Sequence, residues 1–210
     1  MTTTHSALRR FLGVAFDPQT YRNLVYLLLA FPLGILYLTV LWAGGATGIS
    51  LVPLFLLGVP VLVAVMALAV HLTELEARLA RGLLDSDVAY EAPRPTDETA
   101  VEYAKRLVTE PQSYRAVVYL LSKFVIGIAA FVALTTAASV SAVFVLAPVL
   151  YDLPETQYNF GVWSVTTLPE AAGVAIVGLL VGLLSLHAFN LCAAAVGRYT
   201  ELMVGSGTED

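Results

Sequence analysis

Cysteine is almost missing from this chain. Cys192 is the one thiol in 210 residues, so neither an internal disulfide nor a cysteine metal cluster can form, and the residue reads as a small apolar member of a helix. Lysine is scarce too: Lys105 and Lys123 stand among 11 basic residues, against 16 acidic ones. The net charge of −5 and the crowd of Asp85, Asp87, Glu91, Asp97, Glu98, Glu102 and Glu110 exclude direct nucleic-acid binding, because phosphate contacts need a basic face. An acidic, lysine-poor balance is also halophile-like. The three histidines, His5, His71 and His187, are far apart, and the carboxylates are dispersed in loops, so no metal-ligand spacing appears. No glycine-rich nucleotide loop is present either. The expectation is no cofactor, no metal, no catalytic residue and no enzyme activity.

What the chain has in excess is apolar surface. Hydrophobic residues make up 58%, charged residues 13%, and the mean hydropathy is +0.79, more than one soluble core of this size would bury. Four apolar runs, at about 21–43, 51–73, 116–148 and 168–196, reach the roughly 20 residues that carry a helix across a bilayer. The short FLGVAF run after Arg9 and Arg10 is cut off by Asp17-Pro18, and reads as a surface helix rather than a signal peptide. Basic residues then set orientation. Arg9, Arg10 and Arg22 precede the first span, and Arg78, Arg81, Arg94, Lys105, Arg106 and Arg115 lie between the second and third. The connections around 44–50 and 151–169 contain no Lys or Arg. The positive-inside rule therefore predicts a multi-pass cell-membrane protein with both termini and the 76–115 loop cytoplasmic.

DPQTYRNLVYLL at Asp17 returns as EPQSYRAVVYLL at Glu110. Ungapped, Asp17–Tyr37 and Glu110–Ala130 share eleven of twenty-one positions, including Pro18/Pro111, Tyr21/Tyr114, Arg22/Arg115, Tyr26/Tyr119 and Gly34/Gly127. A looser match joins HLTELEARLARGLL to GRYTELMVG through Thr-Glu-Leu. The reading is all-α: two helical hairpins related as parallel repeats, each preceded by a short interfacial amphipathic helix. It divides the chain into 1–82, an acidic Pro-containing linker 83–99, and 100–210. In each copy the acid serves as N-cap, proline takes the first helical position, and the tyrosines fit an aromatic belt.

Hairpin geometry predicts partly buried ion pairs between Arg22 and Glu74 and between Arg115 and Glu201, at the ends of paired spans. Gly178 and Gly182, with Ser185 on the same face, form a small-xxx-small stripe expected to pack inside the chain, with homodimerisation second. Polar residues within spans are ligand-site candidates. Lys123 is favoured to snorkel toward headgroups. His187 and Asn190, three apart, either bond a neighbouring helix or join Lys123 in binding a polar ligand. His71 reads as a solvated interfacial side chain.

The segments DPQTYRNLVYLLLAFPLGI, LTELEARLARGLLD, YEAPRPTDE, EPQSYRAVVYLL and TTLPEAAGVAIVGLLVGLL, in this order, resemble the "putative sensor" domain family. That family is a four-helix membrane input domain at the N-terminus of actinobacterial and haloarchaeal histidine kinases, and the resemblance runs from about Phe11 to Met203. It implies a sensory role. Kinase members continue into a phosphoacceptor helix and an ATP-binding domain, whereas here VGSGTED follows Met203, so the output is expected to reside in another polypeptide. The expected function is a non-catalytic membrane sensory or regulatory module. It would respond to a membrane-associated or apolar stimulus and signal through a cytoplasmic partner, a histidine kinase or a transcription regulator. Membrane lipids and a second copy are further expected contacts. A small transporter or permease subunit for an apolar or amphipathic compound is the alternative.

Overall fold

A computed structural model describes residues 11–54, 57–95, 98–153, 158–160 and 163–205. Arg9, Arg10 and Asp97, used above for orientation and charge, lie outside the described residues. After a 3₁₀ turn at Val14–Phe16, six α-helices are present among those described: α1 (Pro18–Leu51), α2 (Gly58–Leu84), α3 (Ala100–Thr109), α4 (Pro111–Val145), the short α5 (Ala147–Leu150) and α6 (Leu168–Val204). The fold is all-helical apart from two paired two-residue strands, β1 (Asn159–Phe160) and β2 (Trp163–Ser164). Helices α1, α2, α4 and α6 are long and apolar enough to cross a membrane.

Each duplicated start signal builds the same local structure. Pro18 opens α1, and the Asp17 carboxylate accepts the Gln19 amide at 2.9 Å. Pro111 opens α4, and the Glu110 carbonyl accepts the Ser113 amide at 3.2 Å as the Asp17 carbonyl accepts the Thr20 amide at 3.1 Å. Tyr21 donates its hydroxyl to the Ala15 carbonyl (2.6 Å), and Tyr114 donates to Val108 (2.9 Å), each reaching six residues back. This bond fixes the angle at which the chain enters the helix. Tyr21 and Tyr114 are exposed, as belt residues should be, whereas Tyr26 and Tyr119 are buried, a correction to the belt reading. Five positions beyond an exposed residue, a helix has turned about 500°, and its side chain faces a different neighbour.

The first hairpin turns later than hydropathy indicates. Helix α1 continues through 44–50 to Leu51, and the turn is made by 3₁₀-like bonds such as Val52 N–H to Ile49 C=O and Leu57 N–H to Leu54 C=O. Glycine lets the two helices touch: a Cβ on Gly44 would strike Val65, one on Gly48 would meet Leu62, and one on Gly58 would strike the Gly48 carbonyl, whereas Gly45 faces nothing within 4 Å. Asp85, in the left-handed region at φ 53°, ends α2, a conformation that a short polar side chain tolerates better than most.

Two compact units divide the described residues. The larger comprises 22–131 and 192–205; the smaller comprises 11–21 and 132–191. In the larger, the linker after α2 is a packed part of the core. Val88, Tyr90 and Ala92 are buried while Ala89 and Glu91 are exposed, the period-two pattern of an extended segment lying on a surface. Arg81 donates to the Val88 carbonyl (2.5 Å), Tyr103 to the Pro93 carbonyl (3.0 Å) and Arg106 to the Arg94 carbonyl (2.9 Å). Burial pushes the Tyr90 phenol up to about 12.

Helix α3 begins with a capping box: Thr99 Oγ1 accepts the Glu102 amide, and the Glu102 carboxylate accepts the Thr99 amide. These bonds hold the Glu102 carboxyl below its ordinary value. Its stabilising contribution is therefore complete above the usual carboxylate range and is lost as pH falls through the lowered folded-state value. Protection of the Thr99, Glu102 and Tyr103 amides, relative to their intrinsic exchange at the same pH, is expected to fall in acid, and Thr99→Ala to produce the same fraying at neutral pH.

In the smaller unit the small-residue stripe of α6 faces α4. A Cβ on Gly178 would strike Phe144 and the Val145 amide, and Ser141 donates its hydroxyl to the Gly178 carbonyl at 2.9 Å. Packing within the chain is thus what this stripe does here. Tyr158 donates to the Val143 carbonyl (2.8 Å) and joins Ala147, Val165, Ala171 and Val174 in a second small core.

Candidate functional site

Four helical stripes of the larger unit converge on one buried polar cluster. From α1 come Tyr26 and Tyr37, eleven residues or about three turns apart and hence on one face. From α2 comes Glu76, in a stripe with Ala69, Thr73 and Ala80 whose small side chains admit close neighbours. From α4 comes Lys123, between Tyr119 and Gly127, and from α6 comes Thr200.

Lys123 is 0% exposed and Glu76 is 1% exposed. The Lys123 ammonium lies 3.3 Å from Glu76 Oε2 and donates to the Tyr26 hydroxyl at 2.5 Å. Tyr26 donates in turn to Glu76 Oε2 (3.1 Å), and Tyr37 donates to Oε1 (3.2 Å), so both carboxylate oxygens are satisfied. The rings of Tyr26 and Tyr119 stand 4.7 and 5.6 Å from the ammonium, adding cation–π attraction. Tyr119 and Thr200 share a hydrogen bond of 3.0 Å, and Tyr199 donates to Ser122 at 2.6 Å. Such a pair offsets its desolvation only with good geometry and further hydrogen bonds; here both carboxylate oxygens are bonded, and the ammonium has two oxygen partners and two ring faces.

The pair breaks the duplication. Counting from the aligned starts, Lys123 corresponds to Ala30, and counting from the shared Thr-Glu-Leu, Glu76 corresponds to Met203. Around it the copies match closely. A Cβ on Gly34 would lie 2.8 Å from the Phe124 Cα, while one on Gly127 would strike the Ala30 carbonyl and lie 3.0 Å from the Phe31 Cα. Since Gly34 corresponds to Gly127 and Phe31 to Phe124, the α1–α4 crossing is reciprocal, and each helix lies in the other's glycine notch.

Several sequence expectations are corrected here. Lys123 does not snorkel; its partner is an acid just past the apolar run of α2, within a helix that continues to Leu84. Glu74 pairs with Arg78 (2.5 Å) and Arg94 (3.1 Å), not with Arg22, because the folded linker brings Arg94 back to it. Arg22 and Arg115 are exposed and form no ion pair among the described residues. Glu201 instead accepts the Asp87 amide at 3.3 Å. His187 and Asn190 belong to the smaller unit and Lys123 to the larger, each with its own partners. His187 stacks on Phe11 (5.0 Å) and bonds its carbonyl at 3.1 Å, and Asn190 donates to Thr20 at 2.8 Å. His71 is exposed and bonds the Ala67 carbonyl of its own helix. No group of three metal-ligating side chains occurs among the described residues.

Because both arginines on Glu74 are about half exposed, each pair is worth at most about 1 kcal/mol. Glu74→Ala is therefore expected to lower stability by about 1 kcal/mol and to speed amide exchange over Val88–Arg94, while Arg22→Ala leaves both unchanged.

Glu76 escaped the sequence reading because hydropathy ends the span before it. The signal that would have found it is the helical stripe Ala69, Thr73, Glu76, Ala80, which continues the apolar face into the charged TELEAR segment.

A family model described as "Putative sensor" matches residues 26–203, a range that contains every member of the buried cluster. Neither a curated protein nor a solved structure matches the chain.

Proposed function

The chain belongs to the "Putative sensor" family, and from that premise we propose that it is a non-catalytic sensory module of the cell membrane, with both termini cytoplasmic, signalling through a separate cytoplasmic partner. The observation that carries this reading is the Lys123–Glu76 pair with its tyrosines, which ties α1, α2 and α4 together at one point. A buried charge pair holds its geometry or breaks; intermediate separations leave desolvated charges unpaired. A membrane-associated or apolar stimulus that shifts one of these helices therefore favours a second discrete arrangement over gradual deformation. Glu76 lies two residues from Glu74, which holds Arg94 of the linker, so a movement of α2 is passed directly to the linker, the surface offered to a histidine kinase or transcription regulator.

The experiment is amide exchange over Val88–Arg94 in lipid nanodiscs for the native chain and for K123M/E76Q. Coupling predicts at least a tenfold change in linker protection when the pair is removed; identical protection in the two proteins removes the proposed route.

Transport is the second reading, and one observation favours it: an acid and a base meet inside the bundle of α1, α2 and α4, where intramembrane ionisable pairs often mark a solute or proton path. Flux of a proton or amphipathic compound into proteoliposomes, abolished by E76Q, would establish it in place of sensing.

A further inference from the structure

Where the linker meets the start of α4, Glu91, Ala92, Pro93, Arg94, Arg106, Glu110 and Gln112 line an open cleft of about 520 Å³. That volume lies within the roughly 300–1,000 Å³ range of small-molecule sites. The lining carries two guanidinium groups and two carboxylates, balanced in charge and opposed in chemistry. A simple anion meets Glu91 and Glu110, and a simple cation meets the two arginines. A group with one charge of each sign satisfies both sets.

The charged side chains have capacity to spare. Arg94 spends one nitrogen on Glu74, and Arg106 spends one on the Arg94 carbonyl and Glu98, while each guanidinium has five N–H donors. Arg106 Nε is shielded from water with no hydrogen-bond partner, a donor that an acceptor entering the cleft completes after a small turn of the group. Glu91 is exposed, with no ion pair among the described residues.

Position narrows the ligand further. Glu110 and Gln112 flank Pro111, the first residue of a membrane-spanning helix, and Tyr114, Val118, Leu121 and Val125 follow as exposed residues. The cleft thus sits where a span begins, at the depth of lipid headgroups.

We propose that this cleft binds a phosphate-plus-primary-ammonium group, the chemistry of phosphoethanolamine, with the phosphate on Arg94 and Arg106 and the ammonium on Glu91 and Glu110. Trimethylation removes the N–H donors that the carboxylates require, and a glycerol phosphate lacks the cation. This names a ligand class for the stimulus of the sensory reading, but binding is measured without any signalling partner, so either idea can fail alone.

The test uses the full chain in nanodiscs holding equal parts of phosphatidylethanolamine, phosphatidylcholine and phosphatidylglycerol, extracted into mild detergent, with retained lipid quantified by mass spectrometry. The expected result is at least fivefold enrichment of phosphatidylethanolamine over the other two. In Glu91→Lys that enrichment is expected to vanish and phosphatidylglycerol to rise, with an unchanged melting temperature, while Glu91→Asp keeps the native preference. In lipid-free detergent, free phosphoethanolamine is compared with phosphocholine and glycerol phosphate for protection of the amides of Glu91, Ala92, Arg94, Glu110 and Gln112. Enrichment of the lipid without protection by the free compound assigns a membrane source; protection by the free compound without lipid enrichment assigns a soluble one. Equal retention of the three lipids together with no protection overturns the proposal, as does a Glu91→Lys protein with native selectivity.

Discussion

Lys123→Met and Glu76→Gln are each expected to destabilise the protein by about 3–5 kcal/mol, while the double variant recovers most of that loss. Each single change leaves one charge at a site that is 1% exposed or less. In K123M the carboxylate keeps the hydroxyls of Tyr26 and Tyr37 but no counter-charge; in E76Q the ammonium keeps the Tyr26 hydroxyl and two ring faces but no anion. K123M/E76Q has no buried charge, and the glutamine carbonyl still accepts a tyrosine hydroxyl. Unfolding in mixed micelles measures all four proteins, and the cycle isolates the pairwise term. Additive losses would show that the two groups act independently and would remove the two-state device on which the sensory mechanism is built.

The second large effect is expected at the reciprocal glycine notch. Gly34→Ala and Gly127→Ala place a Cβ against the backbone of the facing helix, at Phe124 Cα and at the Ala30 carbonyl. No rotamer relieves a clash with main-chain atoms, so α1 and α4 must separate, and each substitution costs about 2–3 kcal/mol by overpacking. Gly127→Val should prevent accumulation of folded protein. Gly45→Ala is the control: its Cβ meets nothing within 4 Å, and it should gain up to about 1 kcal/mol from helix propensity. The measurement is the midpoint of thermal unfolding in detergent, and equal midpoints for Gly127→Ala and Gly45→Ala would rule out the close crossing. Separation at the notch also widens the site just below it, since Lys123 lies one helical turn before Gly127. The two predictions therefore couple: Gly127→Ala combined with K123M should lose less than the sum.

Both effects involve residues whose class was readable in advance and whose partners were not. Lys123 stands out in any apolar run, yet its stem is long enough to reach a headgroup or an interior acid, and only the packing of α2 beside α4 selects the acid. Glu74 and Glu76 are neighbours in one TELE segment. A helix turns about 200° between them, which sends Glu74 to the linker arginines and Glu76 into the core. Hydropathy averages over both and ends the span before them. The linker was equally ambiguous: its prolines and charges read as a solvated connection, while the alternation of Val88, Tyr90 and Ala92 shows a buried edge once the core is known.

The sequence by itself determined four membrane-length helices, the helix starts at Pro18 and Pro111, the duplicated tyrosines and glycines, and the family that residues 26–203 match. These follow from composition and from contacts within a few residues, where a side chain's effect does not depend on what lies elsewhere. The tertiary structure alone decided which acid meets Lys123, which arginines meet Glu74, and that α1 and α4 share one notch. Helical faces repeat every 3.6 residues, so a sequence offers several partners for each buried charge, and the three-dimensional packing that satisfies every donor and acceptor at once leaves a single pairing.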